Sequence, residues 1–189
     1  SMFLAITRNP AHKDYDLSSL RNGIIAGSPV SEEEYDTIRR EIPGLLLHAS
    51  YGQTETAPCV SISDVGDSET ERATTAGRVL RHCEVRILAP DGASLQTGED
   101  GEICVRGYNV MQGYYHLPEE TAKTIDADGW LHTGDMGHLD GRNFLYITGR
   151  IKEMIIRGGE NISPREIEQV IRHYPGIRDV KVIGLPTEV

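Results

Sequence analysis

The sequence predicts an α/β fold that passes into a β-rich unit and then into the opening of a small α+β domain. Three observations predict it. An apolar strand, a capped helix and a second apolar strand follow one another over residues 23–51. Short β-branched runs separated by glycine turns begin at about residue 76. The charge balance then shifts at Arg150: seven Lys/Arg against six Asp/Glu lie from there onward, in a chain whose formal net charge is −10. The corresponding divisions are 1–75, the C-terminal part of an α/β subdomain with a parallel or mixed sheet; 76–150, a β-rich subdomain expected as a distorted barrel; and 151–189, the start of a C-terminal domain.

Each element has its own signal. Met2 to Ile6 and Tyr15 to Leu20 carry little periodicity. Gly23-Ile24-Ile25-Ala26 reads as a buried strand, stopped by Gly27-Ser28-Pro29. Ser31 with Glu34 three residues on is a capping box, and Glu32 and Glu33 suit the positive end of the helix dipole. Tyr35, Ile38 and Ile42 share one face of that helix, which Pro43-Gly44 ends. Leu45-Leu46-Leu47 is too short and too apolar for a surface helix and reads as a strand running into Tyr51-Gly52-Gln53-Thr54-Glu55. Asp64 to Thr75 is polar and expected as a loop. Val85 to Leu88, the turn Pro90-Asp91-Gly92, and Glu102 to Arg106 read as antiparallel strands, continued by Trp130 to Gly134 and Phe144 to Ile147. Glu153 to Arg157 is strand-like, with a tight turn at Gly158-Gly159. A second helix has Ser163 as its cap, Pro164 at its first position and Glu166 closing the box. Its apolar face is Ile167, Val170 and Ile171; Pro175-Gly176 stops it, and Val180 to Ile183 is expected as a final strand.

Composition narrows the function classes. Over 189 residues, 38% apolar and 25% charged residues sustain a packed core and exclude global disorder. No apolar run reaches membrane-spanning length and no signal peptide opens the chain, so no integral membrane segment is expected. Cys59, Cys83 and Cys104 are widely spaced, forming neither a metal-type pair nor a disulfide framework, and a reducing cytoplasm is the default. The acidic balance argues against a general nucleic-acid surface. It does not exclude an anionic ligand held by a few Arg side chains, a metal and backbone N–H groups. The seven His residues lack ligand spacing and there is no Gly-x-Ser-x-Gly turn, which disfavours metalloprotein and hydrolase readings.

Two stretches set polar side chains among glycines directly after apolar strands, where ligand sites in α/β sheets form. One is Tyr51-Gly52-Gln53-Thr54-Glu55-Thr56. The other is Gly129-Trp130-Leu131-His132-Thr133-Gly134-Asp135, followed by Gly149-Arg150-Ile151-Lys152. On residue type alone, Tyr51 also reads as a core aromatic, Thr54 as a turn residue, Glu55 as a solvated charge, Asp135 as a turn aspartate and Arg150 as a surface ion-pair partner.

Together with Gly101-Glu102-Ile103-Cys104-Val105-Arg106-Gly107 and the segment from Gly158 to Glu168, these stretches resemble the ordered motif series of the adenylate-forming superfamily. That group includes acyl-CoA synthetases, beetle luciferases and peptide-synthetase adenylation domains. The resemblance runs from about Tyr15 to the end. It implies formation of an acyl-AMP from a carboxylic acid, fatty or aryl, and ATP, followed by transfer to CoA, in an acid–thiol ligase. By that resemblance Tyr51 stacks on adenine, with Gly27, Ser28 and Gly52 flanking the base. Thr54 donates to the α-phosphate and Glu55 is a hard oxygen ligand for Mg²⁺. Asp135 accepts from the ribose hydroxyls, and Arg150 contacts the ribose or phosphates. Lys152 falls at the hinge of a mobile C-terminal domain, and Gly158 and Gly159 approach the pantetheine arm of CoA. Trp130, His132 and the 101–107 stretch are assigned to packing.

Two parts of the superfamily pattern are absent from these 189 residues: the Ser/Thr/Gly-rich phosphate loop ending in lysine, and the catalytic lysine near the family's C-terminus. The expectation is therefore a fragment of a ligase, inactive alone. The rival readings are a peptide-synthetase adenylation domain and a non-catalytic nucleotide-binding module. The Gly158–Ile162 and Tyr15–Leu20 segments look more like medium- or long-chain acyl-CoA synthetases than like peptide synthetases.

Overall fold

The computed structural model describes residues 2–185 apart from 29, 159, 173, 178 and 179. Strand β1 (Asn22–Ile25) runs parallel to β2 (Leu46–Tyr51), in register Ile25 to Ala49. Helix α2 (Glu32–Glu41) crosses between them. Its predicted capping box is complete: Glu34 N–H donates to Ser31 Oγ at 3.2 Å, and Ser31 N–H donates to Glu34 Oε2 at 3.2 Å. Tyr35, Ile38 and Ile42 are buried as the periodicity requires, against Ile25, Leu45 and Leu47. The Tyr35 hydroxyl reaches the Leu47 carbonyl at 3.1 Å, so the polar end of this core aromatic is satisfied.

Helix α1 (Met2–Arg8) closes the first core through Phe3 and Leu4, in a stretch where periodicity gave no signal. Strands β3 (Ser61–Ile62) and β4 (Arg78–Val79) extend this sheet antiparallel, giving the order β1-β2-β3-β4. Between them the expected loop contains α3 (Glu69–Thr74). Its capping box, Ser68 with Glu71, was present in the sequence, but the helix has only six residues and too little apolar periodicity to show.

The second sheet is an antiparallel meander of β5 (Cys83–Leu88), β6 (Gly101–Gly107), β7 (Leu131–Leu139) and β8 (Leu145–Arg150). Its core is Ile87, Ile103, Val105 and Leu145 with Val60 of the first sheet's connection. The expected distorted barrel does not close: β5 and β8 remain edges of an open four-stranded sheet among the described residues. The two sheets instead meet where Leu145 N–H donates to Gly77 O (2.9 Å) and Ala76 N–H to Leu145 O (2.7 Å). Helix α4 (Pro118–Thr124), with Pro at its start and acids in its first turn, was not predicted and leans on β7.

Beyond Arg150 the chain makes a 3₁₀ turn at Ile151–Glu153, the hairpin β9 (Ile155–Arg157) with β10 (Glu160–Ile162), and helix α5 (Pro164–Arg172). The strand expected from Glu153 thus starts two residues later. The Ser163 hydroxyl donates to Thr148 O at 3.1 Å, fastening the start of α5 to β8. Ile167 and Val170, expected on a buried face, are 37% and 65% exposed. Val180 to Ile183 forms no strand, since none of the described strands pairs with it. No helix among the described residues is long and apolar enough to cross a membrane.

Candidate functional site

The site is built where the two sheets meet. Tyr51 is the last residue of β2, and because β1 is parallel to β2, Gly27 and Ser28 leave the sheet at the same end as Tyr51 and Gly52. Gly27 has φ +78°, a turn conformation that suits glycine. Gly52 is required for a different reason: a Cβ there would lie 2.0 Å from the Pro58 carbonyl oxygen, so only glycine lets the two backbones approach. The chain then tightens into the 3₁₀ turn Thr54–Thr56. Fully buried Thr56 pins it, accepting from Gln53 N–H at 3.0 Å and donating to Gln53 O at 2.9 Å. That turn leaves Thr54 exposed and Glu55 half-buried.

The second half of the site comes from the β7–β8 pair. Asp135 and Arg150 are register partners on these antiparallel strands, which places their side chains together. Arg150 Nε lies 2.9 Å from Asp135 Oδ1. Tyr51 Oη donates to the other carboxylate oxygen, Oδ2, at 2.8 Å. Asp135 is 5% exposed, so its charge is balanced by one guanidinium and one phenol. Burial pushes the Tyr51 phenol well above its ordinary pKa, and the adjoining Asp135 carboxylate adds to the effect; the group stays a neutral donor. Thr133 supports the carboxylate from its own strand: its hydroxyl accepts from Asp135 N–H at 3.1 Å and donates to Ile103 O at 2.7 Å.

The structure therefore brings Tyr51, Asp135 and Arg150 into direct contact, across 84 residues of sequence in the first case. Thr54 and Glu55 follow within one turn of Tyr51. Lys152 sits exposed in the 3₁₀ turn after Arg150 and has no ion pair or hydrogen bond among the described residues. Gly158 (φ +61°) turns the β9–β10 hairpin, and Gly159 lies outside the described residues. Thr56 and Thr133 stand in the two stretches singled out from the sequence but were given no role there, and Tyr114 was missed. Tyr114 Oη donates to Glu55 Oε1 at 2.8 Å from a loop 59 positions away, a relation no local pattern reveals. Two surface concavities elsewhere, one lined by residues including Thr7, His12 and Glu41 and one by residues including Tyr35, Leu47 and Arg72, contain none of the predicted residues.

One cluster was not legible from spacing. Glu102, Cys104 and His132 bring three possible metal-ligand atoms within 4.8 Å of one another, because β6 and β7 pair Cys104 with His132. Those atoms are already engaged. His132 Nδ1 is 2.9 Å from Glu102 Oε2 and 3.4 Å from Cys104 Sγ, while Glu102 Oε1 accepts from Gly134 N–H at 3.2 Å. Burial and the Glu102 charge push the Cys104 thiol up to about 12, only partly offset by the Arg86 guanidinium beside it. The guanidinium beside it sets a positive charge against any cation at this cluster. Arg86 and Arg106 cover the Trp130 ring at 4.1 and 4.5 Å, whereas His132 belongs to the polar cluster with Glu102 and Cys104.

Comparison with known proteins places the chain in a family. The family model for AMP-binding enzymes matches residues 1–115. YngI of Bacillus subtilis (strain 168), named as an acyl-CoA synthetase, is 44% identical over 98% of this chain and 34% of its own length. The mitochondrial medium-chain acyl-CoA ligase ACSF2 of Macaca fascicularis is 38% identical over 98% of this chain and 30% of its own length. The structure of O-succinylbenzoate coenzyme A synthetase from Bacillus subtilis, in complex with ATP and magnesium ion, superposes with a TM-score of 0.83 at 32% identity, covering 99% of this chain and 38% of that one. The chain spans about a third of the length of the curated relatives it matches. On the extent of the family match and these identities, the chain belongs to the AMP-binding enzyme family.

Proposed function

We propose that this chain is the nucleotide-gripping part of an ATP-dependent carboxylate–CoA ligase, which forms an acyl-AMP and then an acyl-CoA. The observation that carries this reading is the buried Asp135 carboxylate held between Tyr51 and Arg150 at the end of β2. Each carboxylate oxygen accepts one partner and has a second lone pair, which suits a vicinal diol such as a ribose. The Tyr51 ring, beside the Gly27-Ser28 and Gly52 backbone, offers a stacking surface for a purine at that strand end. Arg150, 54% exposed at its side chain, has donors left for ribose or phosphate oxygens.

A nucleotide with Mg²⁺ fits the remaining residues. Thr54 exposes a hydroxyl donor, suited to an α-phosphate oxygen. Glu55 Oε1 is engaged by Tyr114, and no hydrogen bond occupies Oε2 among the described residues, which leaves a hard oxygen for the cation. Bound ATP–Mg²⁺ would supply the activated phosphoryl centre; these side chains orient it and hold its charge. Residues 1–75 and 76–150 are read as parts of one large domain, and Lys152, exposed in its 3₁₀ turn, as the hinge to a mobile domain. Gly158 and Gly159 are read as the residues that approach the pantetheine arm of CoA. Fatty or aryl acids are the substrate class, by likeness to the ligases above. The free cysteines suit a reducing compartment, the cytoplasm by default.

Titration of the 189-residue chain with ATP–Mg²⁺ and with a non-hydrolysable acyl-AMP analogue tests the site. Binding by the wild type, lost in Asp135→Ala with the fold retained, is expected. No binding of either ligand would overturn the reading. On the full-length parent, thioester formation with free CoA rather than with a carrier protein separates a CoA ligase from a peptide-synthetase adenylation domain. Alone, the chain is expected to be inactive, and robust carboxylate-dependent ATP–pyrophosphate exchange by it would refute that.

A further inference from the structure

Glu55 is fastened twice to one loop. Met111 N–H donates to the Glu55 carbonyl at 2.8 Å, and Tyr114 Oη donates to Glu55 Oε1 at 2.8 Å. The loop that carries them, between β6 and α4, is itself anchored. Asn109 is 6% exposed and its Nδ2 donates to Cys59 O at 2.7 Å, tying the loop to the segment just after the 3₁₀ turn. Tyr114 N–H donates to Thr121 Oγ1 of α4 at 2.9 Å, and that hydroxyl donates to Leu117 O at 2.9 Å. A phenol held by its own backbone therefore sets one oxygen of a half-buried carboxylate.

We propose that Tyr114 is a positioning residue for divalent-cation binding: by occupying Oε1 it fixes the Glu55 rotamer and presents Oε2 as a single-oxygen ligand. The assignment rests on the reading of Glu55 as the cation ligand given above. The physical reason is the freedom of a glutamate. Three side-chain torsions must be fixed before its carboxylate can serve a cation, and a neutral donor fixes them without competing for the second oxygen. A Lys or Arg in the same place would add a positive charge beside the cation. The phenol adds none, and donates its hydroxyl hydrogen to Oε1 alone. The chain from α4 through Thr121 and Tyr114 to Glu55 Oε1 thus links a surface helix to the carboxylate whose other oxygen is left for the cation.

The test is ATP binding to the 189-residue chain with and without Mn²⁺, for the wild type, Tyr114→Phe, Glu55→Gln and the double variant. The readout is the tightening of ATP binding by the cation, with thermal unfolding recorded in parallel. Tyr114→Phe is expected to reduce that tightening about tenfold, in a chain whose unfolding temperature shows it to be folded. Glu55→Gln is expected to abolish the tightening, and the double variant to be no worse than Glu55→Gln, since Tyr114 acts through Glu55. Full tightening in Tyr114→Phe, or further loss in the double variant, overturns the positioning role while leaving Glu55 as the ligand. If the wild type binds ATP with no cation effect, or Glu55→Gln behaves as wild type, the cation reading of Glu55 fails and the proposal with it.

Discussion

Tyr51 Oη donates to Asp135 Oδ2 over 2.8 Å, so the end of a parallel strand in the first sheet is joined to an internal strand of the second. The link is polar, at the edge of an apolar cluster that includes Val60, Ile103 and Leu145, against which Tyr51 packs. It therefore contributes both stability and the geometry of the site. Polar groups with low exposure are costly when unpartnered, which is why the three members act as a unit.

Tyr51→Phe keeps the ring and removes the phenol's hydrogen bond to a carboxylate that is 5% exposed. A bond to a charged group contributes about 1.5–3 kcal/mol, and that is the destabilisation expected in denaturant unfolding at neutral pH. Pairing it with Arg150→Met in a double-mutant cycle should give a coupling energy of at least about 0.5 kcal/mol, because both partners share one carboxylate. Strict additivity would mean that the two contacts do not cooperate.

How much of this was legible follows from the range of each interaction. The capping box at Ser31 and Glu34 and the apolar face of α2 are local, and they were read correctly. The parallel partner of β1 was implied by the strand–helix–strand order. Tyr51, Asp135 and Arg150 were each picked out by motif, but their mutual contact depends on the β7–β8 register and on the junction between sheets, which no window of sequence contains. Tyr114 was missed for the same reason. The short helices α1, α3 and α4, of six or seven residues, offered fewer than two turns of periodicity. The open sheet was taken for a barrel because alternation fixes strands and says nothing about whether edges meet.

Gly52→Ala distinguishes a glycine required by packing from one required by a ligand. The added methyl would meet Pro58 O at 2.0 Å and Pro58 C at 2.5 Å, and backbone cannot give way as a flexible side-chain tip can. Destabilisation of about 1–3 kcal/mol is expected before any ligand is added. Thermal unfolding of the unliganded variant checks this, and an unchanged midpoint would show that the turn from Gly52 to Pro58 relaxes freely.

Glu71 sets an acid-side limit on the α3 region. Ser68 N–H donates to its Oε2 at 2.7 Å and Arg142 Nη1 to its Oε1 at 2.5 Å, and these contacts, the backbone donor foremost, lower its pKa from 4.5 to about 2. The ionised form is thus favoured in the folded state. Its contribution is complete above pH 4.5 and is lost as the pH falls toward 2. Comparing wild type with Glu71→Gln by denaturant unfolding at several pH values should show a stability gap that is constant in the neutral range and closes through this acidic window. A gap that persists undiminished at the acid end would place the effect elsewhere than in this carboxylate.

Cys104 provides a check on the network beneath the site. Its side chain is fully buried, bonded toward His132 Nδ1, and its thiol is pushed up to about 12 by burial and by Glu102. Reactivity of a cysteine follows its thiolate fraction and its exposure, and both are minimal here. Cys59 and Cys83 are only partly buried. Titration with a thiol reagent at mildly alkaline pH should therefore leave Cys104 unmodified in the folded chain and expose it only with denaturant. Mass spectrometry of the digested adduct assigns the sites. Rapid native-state modification of Cys104 would mean that β6 and β7 open locally, and with them the Thr133–Asp135 segment that holds the carboxylate.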